Sequence, residues 1–335
     1  MTIRVAVIGA GSWGTTVAAL SASNTPTTLW ARDADLARQI DADHLNPRYL
    51  PDSPLPETLR CTDDIEHAVS SADVVVMGVP SHGFRQVLRE LAEHVRPWVP
   101  VVSLAKGLEA GTLKRMTQVI QDEVPGHPVA VLTGPNLARE IMAGQPAGSV
   151  VAIDDDIIGK ELQRIFGTSR LRIYTNPDVI GCELAGVVKN VIAIASGMVE
   201  GMGFGDNTRA TVITRGLAEL TRLGVAMGGD PMTFSGLAGT GDLIATCLSR
   251  QSRNNTVGIQ LGMGRTIEEI LEDMHMVAEG VKSCPSVLQL ARDNDVDMPI
   301  TEQVVEVCHH GRPAAEAMLS LMARQPQPEI RGIRK

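Results

Sequence analysis

The sequence predicts an α/β domain built on a mainly parallel sheet, followed by an all-α domain. Three observations carry that expectation. The first half alternates short β-branched runs with helix-length segments, the pattern of a parallel sheet with helices on both faces. Beyond Asn176-Pro177 the strand signal almost vanishes and long helical patterns take over. At the start of the chain a strand pattern runs straight into Gly9-Ala10-Gly11-Ser12-Trp13-Gly14, with a helical pattern behind it.

Taken in order, strands are expected at 3–8, 27–30, 74–78, 99–103, 129–132, 149–153 and 171–174. Helical segments such as 83–95 and 112–123 fall between them. The proline-rich piece NPRYLPDSPLP at 46–56 breaks the alternation and is expected to be irregular. Helices follow at 178–199, 209–223, 267–274, 277–293 and 301–310. The expected division is therefore 1–177 for the α/β domain and 178–325 for the helical domain. A loosely ordered tail is expected over 326–335.

Composition narrows the functional classes. The 335 residues are 44% hydrophobic and 21% charged, which fits a soluble globular chain. Aromatics are only 3%, so base-stacking platforms are not expected. A net charge of -9 argues against general binding to nucleic acid or an anionic membrane surface. The five cysteines are scattered without CxxC spacing, the usage of reduced thiols in the cytosol rather than of a disulfide or metal framework. No signal-peptide pattern opens the chain, and no apolar run reaches the ~20 residues that span a bilayer. A cytoplasmic protein without membrane insertion is expected.

The glycine pattern at 9–14 is weak in isolation but stands where the dinucleotide fingerprint requires it. Gly9 would allow the tight turn, Gly11 the approach of a pyrophosphate, and Gly14 the packing of helix on sheet. The helix start would offer free N–H groups to phosphate. At the end of the next strand Arg32 and Asp33 stand side by side. Arginine suits the 2′-phosphate of NADP and an acid suits the 2′-hydroxyl of NAD. Arg32 favours NADP(H), and Asp33 keeps NAD(H) open. Ser103–Leu108 and Thr133–Asn136 follow predicted strands at the edge where open α/β sheets bind ligands. Lys106, before a glycine, is placed to meet an anion. His82 fits a packed or exposed loop histidine better than a site.

GVVKNVIAIASG, residues 186–197, has the composition of a buried helix interrupted by Lys189 and Asn190. An ammonium is costly to bury without a partner. Only six lysines occur in the chain, so one in such a setting carries information. Its neighbours at helical spacing are mostly small, among them Ala185, Gly186 and Ala193. An amine opening into a cleft, with Asn190 beside it, would suit acid–base work. The alternative is a lysine whose stem is buried and whose head reaches water. Further on, Asp242 in GTGDL lies four residues before Thr246, and Ser252-Arg253-Asn254 follows. Each alone suits a cap or a turn. With Lys106 and Lys189 they suggest a phosphorylated substrate facing a nicotinamide, because a guanidinium can grip phosphate with two hydrogen bonds.

These blocks resemble the bacterial type of NAD(P)-dependent glycerol-3-phosphate dehydrogenase. GAGSWGT, PSH, AKGLE, GPNLARE, NPDVIG, VKNVIAIASG, GFGDNTRA, ITRGLAE, GTGDL, QSRN, EG at Glu279-Gly280 and MPITE occur in order from about residue 5 to 315. The resemblance implies a Rossmann-like first domain, a helical second domain and an active site between them. It implies interconversion of glycerone phosphate and sn-glycerol 3-phosphate for phospholipid synthesis, in a cytoplasmic homodimer. Carried over by motif, Lys189 is the catalytic lysine, with Asp242, Asn190 and Thr246 orienting the proton exchange. Substrate contacts would come from Lys106, Gly134, Asn136, Lys189, Asp242, Ser252, Arg253 and Asn254. Cofactor contacts would come from Gly9, Gly11, Ser12, Trp13, Gly14, Arg32, Lys106, Ala138, Arg253, Val277 and Glu279. Asn136 stands where the family often carries Ser or Thr. A 3-hydroxyacid dehydrogenase is the nearest rival, but it typically has asparagine four residues after its lysine, where this chain has Ala193. A dinucleotide-binding sensor without activity is a second rival, against which intact Lys189, Asp242 and Arg253 speak.

Overall fold

In the computed structural model, residues 2–274, 278–326 and 328–329 are described. The tail expected over 326–335 thus lies largely outside the described residues. The chain divides into two compact units. One holds the residues up to Glu109 together with Lys114–Val179, and the other holds Ala110–Leu113 and the chain from Ile180 on.

The first unit is organised by ten strands: β1 (Val5–Ile8), β2 (Thr27–Trp30), β3 (Leu45–Asn46), β4 (Leu50–Pro54), β5 (Arg60–Thr62), β6 (Val74–Met77), β7 (Val101–Ser103), β8 (Val129–Thr133), β9 (Ala147–Ala152) and β10 (Leu171–Asn176). Eight of them form one sheet in the order β10-β9-β8-β7-β6-β1-β2-β5, and β3 and β4 form a small hairpin. Every pair in the large sheet is parallel except β8 with β9. The sheet is therefore mainly parallel, as the alternation predicts. Strand residues alternate between two buried layers. Val5, Val7, Val74 and Val76 enter one core, and Ala6, Ile8, Val75 and Met77 enter the other. Burial on both faces explains why these strands are continuous apolar runs.

Two strand features depart from the sequence expectation. β5 is a three-residue edge strand of Arg-Cys-Thr, too short and polar to signal itself. The 46–56 excursion contains most of the β3–β4 hairpin. Its Asn46 is fully buried and donates to Ala10 O and Thr15 Oγ1, both at 2.9 Å. That ties the hairpin to the glycine-rich turn.

The second unit is helical. Its first helix, Val179–Gly201, is buried from Gly181 to Val199. By length and mean hydropathy of 1.6 it could cross a membrane, but 89% of its apolar window is buried, as in a core helix. One crossing in this unit is unusually close. A Cβ on Gly197 would lie 2.2 Å from Asn255 O, and one on Gly258 would lie 2.1 Å from Ile194 O. Gly201 and Gly262 repeat the contact one turn further on. Glycines four apart on both helices let the backbones of Val179–Gly201 and Arg253–Gly262 touch. The start of the second helix, with Arg253 and Asn254, is thereby set against the helix that carries Lys189 and Asn190.

Candidate active site

The first unit gathers the dinucleotide-fingerprint residues at the end of β1. Gly9 has φ +116°, and a Cβ there would lie 2.9 Å from the Gly78 backbone at the end of β6. A Cβ on Gly14 would lie 2.0 Å from Gly9 O. Both positions need glycine because two backbones pass within contact. Gly11 differs, since a Cβ there would meet nothing within 4 Å. It is also the N-cap of the helix Ser12–Ala22, and no side chain caps that end. The turn therefore leaves space in front of uncapped N–H groups, which is what a pyrophosphate needs. Trp13 Nε1 is buried without a partner among the described residues. Gly78 belongs to this turn and escaped the sequence reading, although a glycine directly after an apolar strand was its available signal.

Arg32 is exposed just beyond β2. Asp33 follows as the N-cap of the helix Ala34–Asp43, accepting from the amides of Asp35 and Leu36. Lys106 Nζ donates to Gly134 O at 2.9 Å. Asn136 accepts from Ser149 Oγ, while its Nδ2 is buried and lacks a partner among the described residues. The neighbouring Thr133 Oγ1 is in the same condition. Ala138 is the first residue of the helix Ala138–Met142. Lys106 follows β7, and Gly134, Asn136 and Ala138 follow β8, at the carboxyl ends of those strands.

The second unit holds a polar cluster inside an apolar core. Lys189 is 5% exposed and Asp242 1%. Lys189 Nζ donates to Asp242 Oδ1 at 2.5 Å and to Thr246 Oγ1 at 2.6 Å. Thr246 also donates to Asp242 O at 2.7 Å. Asp242 is delivered by a π-type turn at Leu237–Gly241, closed by Gly241 N to Gly236 O at 3.1 Å. Single π turns often mark functional sites because they re-aim one side chain. The GTGDL block suits a cap or a turn in sequence, and nothing in its spacing announces a π-type turn.

Beside the pair, Asn190 accepts from Asn254 Nδ2 at 3.0 Å and donates to Gly186 O. Asn254 Oδ1 accepts from Gly280 N at 2.9 Å, and a Cβ on Gly280 would lie 2.7 Å from Asn190 O. The amide of Asn190 is thus engaged inside the helical unit, where it fixes three helices. Ser252 is the N-cap of Arg253–Gly262 and accepts from Asn255 N at 3.3 Å. Arg253 is the exposed first residue of that helix. Glu279 opens the helix Glu279–Asp293, and Ser283 Oγ donates to its carbonyl at 2.8 Å. Val277 lies outside the described residues. Burial pushes the Cys247 thiol up to about 12 against the pull of Lys189, so it stays protonated and is no nucleophile.

An open dinucleotide turn in a parallel sheet and a buried lysine–carboxylate pair in a helical unit place the chain in the class of two-part nicotinamide-dependent dehydrogenases. Comparison with known proteins sharpens this. The family model for the NAD-dependent glycerol-3-phosphate dehydrogenase N-terminus matches residues 4–158, and that for the C-terminus matches residues 178–319. Glycerol-3-phosphate dehydrogenase 2 of the NAD(P)+ type from Sphingopyxis alaskensis is 56% identical over 322 residues, covering 96% of this chain and 97% of that protein. Its counterpart 1 from Mycobacterium tuberculosis (strain H37Rv) is 52% identical over 330 residues, covering 98% and 97%. The solved glycerol-3-phosphate dehydrogenase of Coxiella burnetii superposes with a TM-score of 0.92 at 35% identity, covering 96% of this chain and 99% of that one. The chain belongs to the NAD-dependent glycerol-3-phosphate dehydrogenase family.

Proposed function

We propose that this protein reduces glycerone phosphate to sn-glycerol 3-phosphate with a nicotinamide dinucleotide, and catalyses the reverse oxidation. The observation that carries the reading is the buried Lys189, held between Asp242 and Thr246. A cation in an apolar helix is expensive, and a proton carried to a substrate oxygen explains its presence better than stability does.

The residues fit the dinucleotide. Gly9, Gly11 and Gly14 shape the open turn, and Ser12 and Trp13 begin the uncapped helix. Arg32, Lys106, Ala138, Arg253, Val277 and Glu279 are proposed as further cofactor contacts by motif. When bound, the nicotinamide supplies the hydride. Lys189 gives a proton to the carbonyl oxygen and takes one from the alcohol in the reverse direction. Asp242 and Thr246 hold the amine in place, and Asn190 positions the helix that bears it. Arg253 is proposed as the phosphate anchor. Ser252, Asn254, Lys106, Gly134 and Asn136 are assigned to the substrate. The orphaned Nδ2 of Asn136 supports its assignment, since a buried donor gains most from a ligand that pairs it.

Four finer points belong to the same reading. Arg32 favours NADP(H) over NAD(H). The domain division near residue 177 separates cofactor binding from proton transfer. The protein works in the cytoplasm as a homodimer. Its product supplies glycerophospholipid synthesis. A spectrophotometric assay of NADPH and NADH oxidation with glycerone phosphate tests the central claim. Turnover with both the phosphate ester and NADPH supports it, and no turnover with either nucleotide rejects it.

A further inference from the structure

We propose that Arg48 is a second reader of the cofactor 2′-phosphate and that it silences the acid which would otherwise select NAD. The inference rests on the dinucleotide reading above. Arg48 Nη2 donates to Asp33 Oδ2 at 2.7 Å. Asp33 Oδ1 is already used, since it caps the helix Ala34–Asp43 through the amides of Asp35 and Leu36, both at 3.1 Å. Both carboxylate oxygens are therefore engaged. The amide of Leu36 and the Arg48 guanidinium hold this carboxyl below the usual range, so it is fully ionised at neutral pH. An acid at the end of β2 normally takes the ribose 2′-hydroxyl of NAD and repels the 2′-phosphate of NADP. Here its charge is matched by Arg48 and its oxygens are turned to other partners.

The pairing is not a stability device. The Arg48 and Asp33 side chains are 53% and 40% exposed, and exposed ion pairs add little to folding. Arg48 is instead carried there by a built arrangement. It lies in the turn of the β3–β4 hairpin, and that hairpin is bolted to the glycine-rich turn by buried Asn46. Asn46 Oδ1 also accepts from Tyr49 N at 3.1 Å, which shapes the loop holding Arg48. Ser12 Oγ reaches Tyr49 O at 3.4 Å. The loop is thus fastened to the first residues of the phosphate-binding helix. Arg32 is exposed one residue before Asp33 and makes no hydrogen bond or ion pair with another described residue. A phosphate arriving at Arg32 would come beside Arg48, whose fork can exchange one carboxylate oxygen for two phosphate oxygens.

The test is calorimetric titration of the wild type, Arg48→Ala, Asp33→Asn and the double variant with NADPH, NADH, 2′,5′-ADP and 5′-AMP. Asn caps helices as well as Asp, so Asp33→Asn preserves the fold. Arg48→Ala should weaken NADPH and 2′,5′-ADP by roughly tenfold, the loss of one hydrogen-bonded charge contact, whereas NADH and 5′-AMP, for which Asp33 Oδ2 is freed, should bind no more weakly than to wild type. Asp33→Asn should leave NADPH binding at least as tight as in wild type. The double variant should remain weaker than wild type for NADPH, because the direct grip is gone. Recovery of full NADPH affinity in the double variant would mean that Arg48 only shields the acid, and equal losses for all four ligands would mean that it does not read the phosphate. Either result overturns the inference while leaving the dinucleotide reading intact. A wild type that binds neither dinucleotide would overturn both.

Discussion

The turn at residues 9–14 and the cluster around Lys189 handle charge in opposite ways. The turn uses backbone: glycines at 9, 11 and 14, an uncapped helix start and space in front of Gly11. Its buried contacts are backbone against backbone, at Gly9, Gly14 and Gly78. The Lys189 cluster uses side chains from separate helices, with lysine and carboxylate 53 positions apart in sequence. Its residues are buried, and its lysine stands on a helix rich in valine, isoleucine and alanine. A site made of N–H groups has no side chain whose removal abolishes it and fails only when an added Cβ intrudes, whereas a buried ion pair can be broken at either end.

The largest effect that separates the two regions is expected from Lys189→Met. Turnover should fall by ~10²–10⁴-fold, the contribution of general acid–base help. Breaking a buried ion pair from one side should also cost about 3–5 kcal/mol of stability. Dinucleotide affinity should be unchanged, because no residue of the turn is altered. A kcat above a tenth of wild type would remove Lys189 from the proton path.

Arg253→Lys probes the exposed rim of the helical site. Exchanging two fixed donors for a point charge should lower kcat/KM for glycerone phosphate by about 1.5–3 kcal/mol. The slow rate with unphosphorylated dihydroxyacetone should barely change. Equal factors for the two substrates would show that Arg253 does not select phosphate.

Glu219 extends the comparison to a buried acid held by two backbone amides and one hydroxyl. It accepts from Ile300 N at 2.6 Å and from Thr301 N and Oγ1 at 3.1 and 3.0 Å. Burial pushes its carboxyl up to about 7 despite those donors. A raised folded-state pKa means the fold holds the proton more tightly than the unfolded chain. Its stabilisation is therefore complete below the ordinary carboxyl range near 4.5 and is lost as pH rises through about 7. Glu219→Gln should cost about 1–3 kcal/mol at acid pH, and the gap to wild type should narrow toward pH 8 in urea unfolding. A gap that widens with pH would reverse this assignment.

Gly11→Ala should give the smallest stability change, within ~0.5 kcal/mol, because its Cβ would enter open space. The same methyl should weaken dinucleotide binding measured by fluorescence titration. If affinity were unaffected, the space before the helix would not be where the pyrophosphate lies.

What could be foreseen from sequence follows the same division. The parallel sheet and the helical second part were legible because β-branched runs and helical periodicity are local signals. The turn at 9–14 was legible because its residues are adjacent. Lys189, Asp242 and Thr246 each stood out as polar residues in apolar or glycine-rich surroundings, but nothing local says that they hydrogen-bond to one another. Asn254, Asn190 and Gly280 show the limit more sharply. Their contacts depend on how closely two helices cross, and that distance is set by Gly197, Gly201, Gly258 and Gly262 together. The antiparallel pairing of β8 with β9 and the short β5 were invisible for the same reason, since strand direction and edge pairing are decided by the whole sheet. Asn46 lay within a segment that prolines made look irregular, so its anchoring of the hairpin went unseen.

The helix Val179–Gly201 also bears on how the chain is made. It is the first helix of its unit, and most of the helices that cover it come later in the sequence. During synthesis a stretch with the hydropathy of a membrane span must wait for partners not yet translated. Exposed apolar segments of this kind are where nascent chains aggregate or engage chaperones. Premature termination anywhere between residue 201 and the helix Pro299–His310 would release a fragment whose most apolar surface is uncovered. For this protein, nonsense truncation is a solubility lesion before it is a catalytic one.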